Sequence, residues 1–464
     1  MIMIKKWKHL FNTHLTSTTR FLLYIAFEGI RMTDNAILLL EEALRSIAPA
    51  LKRVKIHNCD VSNNQVFEIM ARSCSNATHI SYSFMPISDT NASPTNDYFY
   101  PCFPDTPKKT WNTTFNNLTY LKVVPLPNLS DLADSAHNQD PLAALEHLSR
   151  IIHRSPNLRE LILDAGIKLR YGFNVAVKHC PNIENLMLTC GEEVQSILTT
   201  TKLKDHEDNN NDEDSYEDVG TKTTMATKSV AAEKGLRSLI LVNPRGIHFG
   251  TQDKGENIGI FKKHHKTLEI LYLRCDLHRK LFLELSSFGG PSLREINLSF
   301  LVDGGSRKEC HNAMVMLFSK CPKLEVITID SREPGRVYCT TRIHSLPGGS
   351  SEVLITIGEN CPHLRHLAIR DEKFPLGSHG IESFISIAEE GGKSCKLTYL
   401  EASINKQNML KVVQQLQHLK TLRIPDDKPD LPEMHKYPED HKEIAQQILS
   451  ERGGALILDA FPAY

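Results

Sequence analysis

The run Leu268-Glu-Ile-Leu271-Tyr-Leu273 carries apolar side chains at positions 1, 4 and 6, and that spacing recurs along most of the chain. Strong copies are Leu51/Val54/Ile56, Leu118/Leu121/Val123, Leu158/Leu161/Leu163, Ile183/Leu186/Leu188 and Leu236/Leu239/Leu241. Further copies are Leu293/Ile296/Leu298, Leu324/Ile327/Ile329, Leu364/Leu367/Ile369 and Leu419/Leu422/Ile424. Ala77/Ile80/Tyr82 and Leu397/Leu400/Ala402 are weaker, and the total is about twelve units. Positions 4 and 6 alternate as a strand requires, and position 1 adds an anchor at the turn leading in. A unit of this size buries its apolar face only by stacking on its neighbours. The expected fold is an α/β solenoid of about twelve strand–helix units, a horseshoe with parallel strands on its concave face. At 464 residues the chain is long for one compact core, a limit that a solenoid escapes.

Helices are predicted near 62–73, 141–154, 168–179, 256–266, 277–287, 308–320, 350–360, 379–391 and 405–417, with an earlier one from Asp34 through Ile47. Several end alike, at His179-Cys-Pro181, Lys320-Cys-Pro322 and Asn360-Cys-Pro362, with Ser155-Pro156 as a variant. Proline there stops the helix and biases the residue before it to extended structure. The spacing between anchors is 26 residues (51 to 77) or 25 (158 to 183, 268 to 293) where it is clean. Intervals of 40, 41 and 53 imply insertions in the helical half of a unit. Three segments stand out: 86–116, with Tyr98, Phe99, Tyr100, Phe103 and Trp111; 202–234; and 331–349. The run Asp205 to Asp218 holds eight acids and no Lys or Arg, a composition that favours a solvated, disordered loop.

Net charge is −1, so no global field points to nucleic acid, and the longest apolar runs are too short to span a bilayer. No phosphate loop, nucleophile elbow or H-E-x-x-H site is present, and nothing in the pattern asks for a cofactor. Cys74, Cys180, Cys321 and Cys361 each fall three residues before an anchor, while Cys59, Cys190 and Cys275 fall just after a strand. Seven of eleven thiols thus obey the repeat, as small buried hydrophobes do, and reduced thiols fit a cytoplasmic or nuclear protein. Cys361-Pro-His363-Leu-Arg-His366 has metal-capable residues at close spacing, yet Cys361 and Leu364 are in repeat phase and His366 lies on the strand. His264-His265 closes a predicted helix, where imidazoles favour the dipole. Cys310-His311 is a poor nucleophile pair, since adjacent helical residues point apart. An enzyme is not expected.

The L-x-x-L-x-L strands, the helices ending Cys-Pro-x-[LI] and the cysteine after the strand together resemble the leucine-rich repeats of F-box/leucine-rich-repeat proteins. The resemblance covers roughly residues 20–425. It implies a receptor whose N-terminal F-box binds the Skp-type linker of a cullin–RING (SCF) ubiquitin ligase and whose repeats hold the protein to be ubiquitinated. Lys5-Lys-Trp7-Lys-His-Leu10 looks like the closing end of such a box, whose Leu-Pro-x-Glu opening and first two helices have no match here. On this reading residues 1–20 are the box remnant, with Trp7 and Leu10 as possible linker contacts. Residues 21–424 form the solenoid, and 425–464 a linker followed by a capping helix and tail. A free-standing repeat scaffold is the alternative.

Binding is the expected function, and the fold says where. Positions 3, 5 and 7 of each strand face the concave side. In the first strong repeat these are Arg53, Lys55 and His57; in the middle they become Ile162, Met187, Ile240, Val242, Ile270 and Tyr272, beside Arg274. A contiguous exposed apolar patch with Tyr, Met and Arg marks a partner site. The other reading is that an inserted loop or the tail folds over it. Ser215, followed by Tyr-Glu-Asp, suits an acid-directed kinase.

Overall fold

The computed structural model describes residues 24–28, 41–42, 44–45, 51–57, 69–70, 73–84, 114–125, 148, 150–163, 180–189, 235–242, 259–274, 277–298, 302–303, 307–330, 351–370, 378–390, 396–404, 406–424 and 437–458. In the first half the strands are β1 (Tyr24–Glu28), β2 (Arg53–His57), β3 (His79–Phe84), β4 (Tyr120–Pro125), β5 (Glu160–Leu163), β6 (Asn185–Thr189), β7 (Ser238–Val242) and β8 (Ile270–Arg274). In the second half they are β9 (Leu277–His278), β10 (Glu295–Leu298), β11 (Val302–Asp303), β12 (Val326–Asp330), β13 (His366–Arg370), β14 (Tyr399–Ala402), β15 (Thr421–Ile424) and β16 (Ala455–Leu458). Fourteen of them form one sheet, entirely parallel, in sequence order; β9 and β11 pair separately. The twelve anchored strands are all in the large sheet, with β1 and β16 added at its ends. This is the leucine-rich-repeat solenoid that the spacing predicts.

Between strands run α1 (Gly259–His264), α2 (Arg279–Phe288), α3 (Arg307–Ser319), α4 (Ser351–Asn360), α5 (Ser378–Glu390), α6 (Lys406–Gln415) and α7 (Glu439–Glu451). In α3 the buried residues are Cys310, Ala313, Met314, Leu317 and Phe318, the 3–4 spacing of a helix with one apolar stripe. That stripe belongs to the same buried core as the anchors Leu293, Ile296 and Leu298, each at most 1% exposed. The predicted helix at 168–179 and the segments 202–234 and 331–349 lie outside the described residues, as does 86–116 up to residue 113.

The prolines do more than stop helices. In each Cys-Pro-x-[LI] box the N–H of the anchor donates to the carbonyl three residues back: Ile183 to Cys180, Leu324 to Cys321 and Leu364 to Cys361, at 3.1, 3.3 and 3.1 Å. The box is therefore a tight turn with proline at its second position, where the ring pre-sets φ. Ser155-Pro156 and Gly290-Pro291 build the same turn, with bonds of 3.0 and 2.9 Å. The first residue of the turn points inward, so it must be small or apolar: Cys180 and Cys321 are completely buried.

Stacking is set by the carbonyl at position 2. The Glu269 and Ile270 amides both donate to the Arg237 carbonyl, at 2.7 and 2.9 Å, and the same double bond recurs from Lys52 to Thr398. Three threonines reinforce it with their hydroxyls, Thr78 to Lys52, Thr119 to Thr78 and Thr398 to Arg365, while Thr267 donates one residue earlier, to the Leu236 carbonyl. From β5 to β13 the side chains at position 2 alternate Arg159, Glu184, Arg237, Glu269, Arg294, Glu325, Arg365. Facing pairs approach to 3.6, 3.7 and 3.8 Å. Exposed pairs contribute at most about 1 kcal/mol each. Their effect on order is larger, because skipping a repeat would set like charges side by side.

β16 closes the stack. The Gly454 amide turns back to the Leu449 carbonyl at 2.8 Å, while Gly453 takes a left-handed φ of 72° that favours glycine. Arg452 lays its guanidinium on the last carbonyls of α6, reaching those of Val413 and Leu416 at 2.9 Å. The Leu456 amide is taken by Gln446 Oε1 at 2.9 Å, which caps a donor on the edge strand. A Cβ on Gly454 would sit 1.8 Å from the Lys420 carbonyl oxygen. Gly454→Ala is therefore expected to detach β16 at a cost on the order of 2 kcal/mol or more. Amide exchange checks this: protection at 455–458 should collapse while β12–β14 keep theirs, and unchanged protection would show that the approach tolerates a methyl group.

Candidate functional site

Register turns positions 3 and 5 into rows running across the open face of the sheet. The position-5 row reads Ala26, Lys55, Ser81, Lys122, Ile162, Met187, Ile240, Tyr272, Asn297, Thr328, Ala368, Glu401, Arg423 and Ile457. Four of the predicted contact residues, Ile162, Met187, Ile240 and Tyr272, are thus cross-strand neighbours. With about 4.8 Å between strands they form an apolar strip of about 14 Å. Ile270 joins from the position-3 row beside Ser238 and Glu295. All five side chains are half-buried, part of their surface remaining open. Val242 and Arg274 pair in register, but their side chains lie outside the described set, as do Trp7, Leu10 and Ser215 entirely.

Tyr272 is the polar member of the strip. Its hydroxyl donates to Glu295 Oε1 on the next strand, and burial, then that bond and the carboxylate's charge, raises its pKa. A tyrosine held this way presents its ring edge as a rigid surface, the form of side chain that dominates interface energetics. Toward the N-terminal side the row turns basic and polar. His79 stacks on Tyr120 with centroids 5.4 Å apart, and His57 Nε2 lies 2.7 Å from Ser81 Oγ.

The C-terminal side differs in kind. On β12–β14 open-face positions are buried as well: Asp330, Arg370 and Glu401 are 5, 6 and 0% exposed. Arg370 grips Glu401 with two parallel bonds of 2.8 and 2.9 Å and stands 3.6 Å from Asp330 Oδ2. The Tyr399 hydroxyl donates to Glu401 Oε2 at 2.9 Å, and its ring stacks on His366 with centroids 4.1 Å apart. Burial first, then the charge of Glu401, pushes the Tyr399 hydroxyl up to about 12. The fork fits the carboxylate plane, which keeps buried charges paired. Sequence reasoning missed this network, although charged residues at two consecutive seventh positions (Asp330, Arg370) beside a charged fifth (Glu401) were a visible signal.

Other predicted chemistry dissolves into structure. Cys74, Cys180, Cys310, Cys321 and Cys361 are buried as thiols, none of them in a disulfide. Burial pushes the thiols of Cys74, Cys180 and Cys321 up to about 12, and Cys361 is raised as well, so the reactive thiolate is suppressed. Cys361 Sγ points at the Cys321 carbonyl, 3.7 Å away, whereas His366 faces Tyr399. His311 pairs with Glu352 of the next helix instead of with Cys310. His264 departs from the helix-dipole expectation. It is held neutral: burial, then Lys263, lowers its pKa to about 4, and its Nδ1 accepts the Leu236 amide at 3.2 Å. A bond between units outweighs the helix dipole here, because protonation would forfeit the acceptor.

A polar cavity of about 360 Å³ opens at the turns, lined by Asn116, Asn157, Arg159, Asn182, Glu184 and Gly235. Its asparagines tie turn to turn: Asn157 donates to the Asn116 carbonyl at 2.7 Å and Asn182 to that of Pro156 at 3.2 Å. Among the described residues no helix is long and apolar enough to cross a membrane.

No protein-family model and no curated protein matches the chain. Among solved structures, it is similar to the crystal structure of the Rad7 and Elc1 complex in yeast, with a TM-score of 0.36 and 12% identity over 85% of this chain and 75% of that one. The fold assignment rests on the register of the sheet.

Two outcomes follow. Arg370→Met removes the guanidinium that grips Glu401 with two bonds and is expected to cost about 3–5 kcal/mol in urea unfolding, with Arg370→Met/Glu401→Leu recovering part of the loss. A single variant no worse than the double would disprove the pairing. Because the folded pKa of His264 lies below 6.5, the unfolded chain takes up the proton first as pH falls. Its contribution is full above about 6.5 and lost toward about 4, so His264→Gln should flatten the pH dependence of stability in that window. Parallel wild-type and variant profiles would refute that account.

Proposed function

We propose that this chain is a non-catalytic protein-recognition module that grips its partner on the open face of the sheet. The supporting observation is the strip Ile162–Met187–Ile240–Tyr272: four half-buried side chains, cross-strand neighbours on a rigid parallel sheet, with Ile270 beside them. Interfaces gain most from such anchors, since they lose little side-chain entropy when covered. Cys180, Cys361 and His264 are engaged by backbone groups, which favours a structural role for them and recognition over catalysis.

More specifically, the module serves as the substrate-binding part of an F-box-type receptor of a cullin–RING ubiquitin ligase, working in the cytoplasm or nucleus. The Cys-Pro-x-[LI] style of the repeats and the Trp7 segment support this reading. In that arrangement the Skp-type linker binds N-terminal to the solenoid and the protein to be ubiquitinated lies along the strip. A solenoid acting without the ligase is the second reading.

A pull-down with the Skp-type linker separates them, using this chain beside one extended by any in-frame upstream coding sequence. Binding by the extended chain supports the receptor, and binding by neither supports the free-standing scaffold. Independently, Ile240→Ala with Tyr272→Ala should abolish partner capture while shifting the melting temperature by only a few degrees. A matched loss of folding would make these residues core.

A further inference from the structure

The polar cavity at the turns leading into β4–β7 shares no residue with the apolar strip, and its chemistry asks for a different ligand. Its frame is a row. The residue before the first anchor is Asn117, then Asn157, then Asn182, and in the fourth unit Gly235. At the spacing of parallel strands, four units span about 14 Å. The asparagines stop at Gly235 for a packing reason. A Cβ there would stand 2.6 Å from Thr267 Oγ1 and 3.2 Å from His264 Nδ1, so that wall is bare backbone.

The amides are set in advance of any ligand. Asn157 donates to the Asn116 carbonyl at 2.7 Å and Asn182 to the Pro156 carbonyl at 3.2 Å, with Asn157 Oδ1 3.5 Å from Asn182 Nδ2. Both stand on the proline turns, so little freedom is left to lose when a ligand arrives. A side-chain amide offers two donors and two acceptor lone pairs, and these bonds leave capacity on the row.

Charge narrows the ligand class. Arg159 and Glu184 face one another at 3.6 Å, so an anion drawn to the guanidinium meets the carboxylate, and a cation meets the reverse. Among the described residues the lining holds no aromatic or aliphatic side chain, which leaves an apolar ligand without a surface to cover. A neutral molecule dense in groups that donate and accept at once fits such a lining, and hydroxyls are those groups. The volume of about 360 Å³ lies at the small end for ligand sites. We propose that this cavity binds a short neutral saccharide, held by the Asn117, Asn157 and Asn182 amides and bordered by the Arg159–Glu184 pair.

Saturation-transfer NMR titration of the full chain tests this. The probes are a pool of neutral disaccharides of glucose, galactose, mannose and N-acetylglucosamine, a hexose phosphate, a hexosamine and a short Ser/Gly peptide pool. The neutral pool should saturate with a Kd of about 1 mM, roughly tenfold tighter than either charged sugar. Asn117→Ala/Asn157→Ala should weaken it by about fivefold or more. Circular dichroism checks folding, and Asn117→Ala alone, on an exposed side chain, repeats the test if the double variant melts. Glu184→Gln removes the carboxylate facing Arg159 and should strengthen hexose phosphate binding by roughly tenfold. No saturation of the neutral pool below about 20 mM, or saturation that the asparagine variants leave unchanged, would overturn the proposal. Tighter binding of the hexose phosphate by the unaltered chain would overturn the neutral assignment. Tighter binding of the peptide pool would overturn it too, and make the cavity a groove for peptide backbone.

Discussion

The molecule depends on a carbonyl that accepts two amides. At position 2 of the units from Lys52 to Thr398, one C=O takes the N–H of the next unit's second and third residues, and this fork locks neighbouring strands in a single register. Because all side chains at equivalent positions then align, every row property of the sheet follows from it. The apolar anchors stack into a continuous core, the alternating Arg and Glu of the turns face opposite charges, and the open face acquires its bands. A slip of one residue would invert every strand's faces and expose the core.

Regularity also explains how the ends behave. An internal strand satisfies both edges, but among the described residues β16 has β15 alone beside it. The chain answers with side chains: Gln446 takes an amide of β16, and Arg452 covers the last carbonyls of the preceding helix. Two glycines make the approach possible, one by its φ and one by lacking a Cβ. These devices use polar groups because an edge strand left bare invites pairing with another chain.

Along the open face the physics changes from band to band. Near β2–β4 it is electrostatic and solvated; over β5–β8 it is apolar and half-covered; over β12–β14 it is ionic and dry. The dry band follows a different rule from the wet one. Arg370 and Glu401 are held by a bidentate fork with a tyrosine completing the carboxylate's shell. Such a network gives the C-terminal third a specific arrangement more than extra stability. The band nearest solvent is where recognition has room to act.

The periodic leucines alone determine the architecture: twelve anchored strands, their order and which residues face the core. The 1-4-6 spacing is compatible with one strand geometry, and stacking is the one way for such units to hide their apolar sides. The Cys-Pro boxes were legible as helix ends, though their role as i to i+3 turns needed the hydrogen bonds. Other features came from tertiary structure. His264 reads as a helix-end cation until burial against the Leu236 turn makes it a neutral acceptor. The Asp330–Arg370–Glu401 network joins residues from three units up to 71 positions apart, and its dryness depends on what covers the face. Local sequence writes periodicity, because spacing alone sets which way a side chain points. It cannot write desolvation, because that depends on neighbours brought together from distant parts of the chain.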